Sequence, residues 1–325
     1  MPSNNPDADV EHFVTLFDNN FLPIGLCLHA SLLKHGEPFH LWILCMDETV
    51  EQNLQRLALP HVSLISLREV EDQRLLEVKP TRSRGEYCWT LTSFTPQFVF
   101  DRDPRVQRVT YLDADLFFFA PPKLLLDEFE HSGKHVLITE HAYDPRYERF
   151  GRAKRGGRFC VQFMTFRRSL ESTKVMRWWQ ERCLEWCYAR VEDGKFGDQK
   201  YLDQWPELFG PEVHILKQKE KTLAPWNVAY YEKLGHGQVA PVFYHFHGFR
   251  ILSPNELLLY SGYRVGNAAA HLYEAYINTL HQAIAELKQA GIAIPCLPRR
   301  NDWIGRLAIL KHQWLDGEKS IHYQS

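Results

Sequence analysis

Four short stretches place side chains that could do chemistry together. Asp113 and Asp115 stand two apart in Tyr111-Leu112-Asp113-Ala114-Asp115, between the apolar runs 109–112 and 116–119. On an extended backbone, residues two apart point to the same side. Two carboxylates so placed repel, and one is driven toward its protonated form unless a cation lies between them. A hard divalent ion with oxygen ligands removes the conflict and completes its shell with waters or phosphate oxygens. The plain alternative is one acid capping a turn and the other solvated. His245 and His247, in Phe243-Tyr244-His245-Phe246-His247-Gly248, alternate onto one face, so either imidazole is a candidate ligand of the same ion. Asp198-Gln199 reads as a helix start with Asp198 as N-cap, and Asp18-Asn19-Asn20 as a polar turn capping the next helix.

The surrounding pattern says which elements must carry these residues. Strand-like runs at 12–17, 39–46 and 62–67 alternate with helical spacing at 22–35, 48–59 and 68–78. Such alternation predicts an α/β fold with a mostly parallel sheet covered by helices on both faces. Ligands of such sheets bind beyond the carboxyl ends of the strands, at a topological switch point. A strongly strand-like stretch spans 106–119, further strands are expected at 134–139, 159–166 and 241–246, and a long helix at 169–190. The tryptophans of that helix, Trp178, Trp179 and Trp186, have the spacing of core packing rather than sugar stacking. From 263 the chain turns helical, so one α/β domain over 1–262 with a helical C-terminal extension over 263–325 packed on it is expected.

Composition narrows the function. Apolar residues make up 45% and charged residues 24%, as in an ordinary globular protein, and the net charge of −2 offers no field for nucleic acid. No apolar run approaches the roughly 20 residues of a membrane span, and the polar, acidic start 1–10 does not read as a signal peptide. The seven cysteines form no C-x-x-C pair and lie mostly in apolar surroundings, which suits reduced core residues of a cytoplasmic protein. The basic stretch 146–158, with Gly156-Gly157, is expected to be a lid over phosphates or a mobile surface loop. The segment 303–314, with Trp303, Leu307, Leu310 and Trp314, is expected to rest on the inner face of a membrane or on the protein's own core.

In order along residues 12–250, the motifs resemble those of the nucleotide-diphospho-sugar transferases of the GT-A fold, and most those of the family-eight galactosyl- and glucosyltransferases and their bacterial relatives. Phe13 to Phe21 resembles the family's first strand and nucleoside-binding turn, which implies Asp18 and Asn20 at the uracil and ribose. The family's metal motif falls on Asp113 and Asp115, with Asp113 also touching the ribose, and its His-x-x-Gly motif falls on His245 to Gly248. The resemblance thus implies a Mn²⁺ or Mg²⁺ ion on Asp113, Asp115 and His245, with Gly248 and Arg250 at the diphosphate of a UDP-sugar. Phe196 to Leu202 resembles the Asp-Gln segment, implying Asp198 on donor-sugar hydroxyls and Gln199 near the anomeric carbon. Ala224-Pro225-Trp226-Asn227 resembles the segment before the final strand.

Two departures stand out. The family's Arg or Lys on the helix before the metal strand is missing from 89–96, leaving Arg82 or Arg84 as substitutes or as plain surface charges. Its Asn-x-Gly segment aligns with Cys160-Val161-Gln162. The implied activity is transfer of a hexose, with retention, to a glycan or a lipid-linked or lipopolysaccharide acceptor. An inverting reaction would instead need a carboxylate base, with Asp198, Glu140 or Asp144 as candidates. Two other readings compete: a non-catalytic nucleotide-sugar-binding protein, and a phosphatase of the haloacid-dehalogenase type, whose Asp-x-Asp normally opens the chain.

Overall fold

The computed structural model describes residues 10–297 and 317–322. Its main sheet has seven strands: β1 (Glu11–Phe17), β2 (Phe39–Cys45), β3 (Val62–Ser66), β4 (Arg108–Leu112), β6 (Val136–Glu140), β7 (Phe159–Arg167) and β8 (Val213–Ile215), in the order β3-β2-β1-β4-β7-β6-β8. All pairings are parallel except those of β7, which runs antiparallel to both β4 and β6. A second sheet joins β5 (Leu116–Phe118), β9 (Thr222–Leu223) and β10 (Phe243–His245) in the order β5-β10-β9.

Both faces of the large sheet are apolar, which is why its strands read as continuous hydrophobic runs. Val14, Leu16, Trp42 and Leu44 enter one core with Tyr87, Leu91, Val99, Val175 and Trp179 of the helices Arg84–Thr92, Thr95–Arg102 and Leu170–Glu185. Phe13, Phe17, Leu41 and Ile43 enter the other with Leu26, Leu32, Leu125 and Leu287. Trp179 is fully buried and Trp178 packs half-buried against the same core, as their helical spacing predicts; the helix expected over 169–190 ends at Glu185, so Trp186, also buried, lies beyond it.

The helix Leu22–His35 is mostly apolar and buried on two sides. Its Leu26 and Leu28 face the sheet, while Ile24 and Cys27 join Tyr276, Leu280 and Ile284 of the helix Ala270–Gln289. That second helix is the one expected beyond residue 263. The same region also holds a strand, β13 (Glu318–His322), which pairs with β12 (Glu256–Ser261) beside β11 (Arg250–Ser253). The segment 303–314, assigned from its sequence to a membrane or core contact, lies outside the described residues. Among the described residues, no helix is long and apolar enough to cross a membrane.

Candidate functional site

The strand expected across 106–119 is two strands in two sheets, joined by a turn at 113–115. Leu116 N donates to the Asp113 carbonyl at 3.1 Å and closes it. Asp113 and Asp115 therefore converge because the chain leaves the large sheet there, not because an extended strand alternates them. The small sheet supplies the third group. β10 runs antiparallel to β5 with His245 opposite Leu116, and Phe246 N donates to the Asp115 carbonyl at 2.8 Å. This register sets His245 Nε2 3.0 Å from Asp115 Oδ1 and 3.8 Å from Asp113 Oδ2. His247, the other imidazole of the motif, is exposed just beyond the strand, its ring 5.5 Å from that of His245.

Neighbouring elements hold this group from behind. The Tyr111 hydroxyl donates to Asp113 Oδ1 at 2.9 Å, and Asp113 N donates to the Gln162 carbonyl at 3.0 Å. The Gln162 side chain turns to His245, with Oε1 2.8 Å from Nδ1. Trp226 stands edge-on to His245, ring centroids 5.2 Å apart, and its Nε1 donates to the His141 carbonyl at 2.8 Å. Neither Gln162 nor the Trp226 contact was legible beforehand. Cys160-Val161-Gln162 read only as a departure from a family pattern, because its strand partners are far away in sequence.

Burial works against every charge here. It lifts the Asp113 carboxyl to about 6, against the pull of His245 and with added repulsion from Asp115. Asp115 is also disfavoured by burial, but the His245 imidazolium outweighs it and holds that carboxyl below the usual range. His245 itself is held well above an ordinary histidine: burial opposes its charge, and Asp115 more than compensates. A single positive charge between the two acids is what this arrangement needs. The donor set fits a divalent ion: His245 shares groupings within 4.8 Å both with Asp115 and His247 and with Asp113 and Cys160.

Asp198 borders the same group. Its side chain does not cap the helix that follows, contrary to the plain N-cap reading. Oδ2 is buried without a hydrogen-bond partner, and burial, with the Asp113 charge second, raises the carboxyl to about 8. Gln199 follows it, with Nε2 donating to the Gly156 carbonyl at 2.5 Å. The basic stretch 146–158 is thus docked onto the Asp-Gln segment. Lys200 Nζ also donates to the Ala153 carbonyl at 3.2 Å.

At the carboxyl end of β1, Asp18 accepts from Asn20 N at 2.9 Å and from Asn20 Nδ2 at 3.2 Å. Arg84 bridges from the start of its helix, Nε 3.0 Å from Asp18 Oδ2 and Nη2 2.6 Å from Asp47 Oδ2. It is therefore tied to the strand ends rather than left as a stray surface charge. Asp47 was not anticipated; its position directly after the apolar run 39–46 was the available signal. Gly248 adopts φ +81°, a conformation that favours glycine. Arg250 begins β11, its guanidinium 5.0 Å from the Phe21 ring centre and its charge felt at Asp115.

The fold so built is the GT-A fold of glycosyltransferases. The structure of the glycosyltransferase GlyE from Streptococcus pneumoniae TIGR4 superposes with a TM-score of 0.50 at 17% identity, over 88% of this chain and 66% of that one. No protein-family model matches the chain. Two proteins of Bacillus subtilis (strain 168) do: YfnD is 30% identical over 290 residues, 86% of this chain and 91% of YfnD, and YfnF is 33% identical over 255 residues, 75% and 84%. Both are described as uncharacterized proteins, and the chain belongs to their family.

Proposed function

We propose that the protein is a metal-dependent glycosyltransferase that moves a hexose from a UDP-sugar to a glycan or lipid-linked acceptor with retention of configuration. The observation that carries the reading is the trio Asp113, Asp115 and His245, gathered from two sheets with a carboxylate oxygen of each acid within 3.8 Å of His245 Nε2. Asp113, Asp115 and His245 would hold Mn²⁺ or Mg²⁺, which supplies charge to the donor diphosphate and to the leaving nucleoside diphosphate. Asp18 and Asn20 lie at the strand end where a nucleoside would bind, and Arg84 supplies a cation there in place of the one missing from 89–96. Gly248 lets the backbone approach the phosphates, and Arg250 balances their charge.

Asp198 sits with one buried oxygen free, and below about pH 8 its carboxyl carries a proton that can be donated to a sugar hydroxyl. Gln199, next in the chain, rests its amide nitrogen on the Gly156 carbonyl, and its amide oxygen would stabilise positive charge developing at the anomeric carbon. Retention is favoured because none of the three candidate bases is a free carboxylate: burial keeps Asp198 protonated, and the other two are held in ion pairs. Glu140 is bonded by Arg158 at 2.6 Å and Lys219 at 2.5 Å, and Asp144 by Arg146 at 2.7 Å. On the acceptor side, Arg149 and Lys154 are exposed on the segment that contacts Gln199 and Lys200, with Phe150 exposed beside them. That surface suits an acceptor bearing phosphate or carboxylate groups, as a lipid-linked saccharide does.

The test is incubation with a panel of UDP- and GDP-sugars plus Mn²⁺. Metal-dependent release of nucleoside diphosphate is expected, and Asp115→Ala should abolish metal-dependent donor binding while leaving the melting temperature near that of the wild type. Donor binding that survives Asp115→Ala at unchanged metal dependence would overturn the site. Binding without turnover, even with candidate acceptors, would make the protein a nucleotide-sugar-binding module instead.

A further inference from the structure

Gln162 touches two of the three residues read as metal ligands, and its own orientation is dictated by a neighbour. Thr139 of β6 lies opposite Cys160 of β7, and its hydroxyl donates to the Cys160 carbonyl at 3.3 Å. A hydroxyl has one hydrogen, so what Thr139 Oγ1 offers elsewhere is a lone pair. Gln162 Nε2 lies 3.5 Å from that oxygen, and Gln162, fully buried, thereby presents Oε1 rather than NH₂ toward His245. An amide oxygen only accepts. His245 Nδ1, 2.8 Å away, must then carry a hydrogen, and in the neutral ring the lone pair falls on Nε2. Nε2 is the atom that faces Asp115 and Asp113.

We infer that Thr139 and Gln162 form a hydrogen-bond relay that fixes the tautomer of His245, so that Nε2 is delivered to the cation as a ligand. This rests on the metal reading of the site and deepens it. Gln162 also accepts from Asp113 N through its backbone carbonyl, so one residue of β7 orients a ligand from each of the two sheets. It stands where the resembled pattern has glycine, which has no side chain to reach the imidazole. Gln162 is a positioning residue: it acts through His245.

The test is binding of Mn²⁺ alone, followed by the electron paramagnetic resonance of the free ion, with melting temperatures to confirm folding. Gln162→Leu, and Gln162→Asn as a shorter amide, should weaken Mn²⁺ roughly 10- to 100-fold, the usual effect of removing a partner behind a metal-bound histidine. Gln162→Glu, which keeps an acceptor at Nδ1, should restore affinity. Thr139→Val should weaken binding because the amide can flip, and Thr139→Ser should not. In the diamagnetic Zn²⁺ form, ¹⁵N resonances of His245 should show the hydrogen on Nδ1. Wild-type affinity in folded Gln162→Leu or Gln162→Asn would overturn the relay, as would a Gln162→Glu variant as weak as Gln162→Leu. A wild-type protein that binds no Mn²⁺ in an Asp115-dependent manner would overturn the metal reading, and the relay with it.

Discussion

Asp198 and His141 show what burial does to a single titratable group. Asp198 is pushed up to about 8 because it lies buried, and because Asp113 is negative nearby. Asp198→Leu keeps roughly the volume but removes the donor, so kcat/KM should fall on the order of 100-fold, as when one preorganised donor is lost, with Mn²⁺ affinity unchanged. Steady-state kinetics beside metal titrations would check this; an equal loss of metal affinity would assign Asp198 to the metal rather than to the sugar. His141 goes the other way. Burial holds its ring down at about 3, well below the ordinary 6.5, while its carbonyl anchors Trp226 and Asn227. A histidine kept neutral in the fold costs stability wherever the unfolded chain binds the proton. Its contribution is present above about pH 6.5 and is lost as the pH falls toward 3, by about 1.4 kcal/mol per pH unit. Urea melts at pH 7.5 and 5 should show the loss, and His141→Phe should flatten it.

Among elements, the segment 145–157 is held by backbone shape as much as by side chains. Gly157 has φ +109° and ψ 148°, a region that side chains strongly disfavour, although a Cβ there would meet only ordinary contacts at 3.5–3.6 Å. The strain of Gly157→Ala is therefore conformational, about 1–3 kcal/mol. The variant should release Gly156 from Gln199 and make 145–157 more sensitive to limited proteolysis; unchanged proteolysis and stability would show that the hinge is not under this constraint. The stretch was recognisable from its cations and its glycine pair, but its docking onto Gln199 was not, because the two lie 43 positions apart. The Asp-x-Asp turn teaches the same lesson. A run as apolar as 106–119 reads as one strand, and nothing local says that it changes sheets at Asp113.

For the whole molecule, the helix Ala270–Gln289 is bound into the fold rather than appended. Tyr276 stacks on Phe246 at 3.8 Å, one residue beyond His245, and Leu280 is fully buried against the helix Leu22–His35. Leu280→Ala should cost about 2–5 kcal/mol, measured by denaturant unfolding in one cooperative transition. A separate low-stability transition for the C-terminal region would instead make 263–325 an independent unit.

Alternating strands and helices, with apolar residues on both faces of each strand, were enough to determine a parallel-rich α/β sheet and to place Asp18 at a strand end. The order of four short motifs carried the family resemblance on which the proposed nucleotide-sugar site rests. The sheet and the strand end were legible because backbone periodicity and strand-end geometry are local. Tertiary structure alone decided how Asp113 and Asp115 meet His245, which imidazole faces both acids, and that Gln162 stands behind it. Those contacts run between strands brought together by sheet pairing over separations of 83 residues and more, and pairing registers are set by the packing of both cores at once.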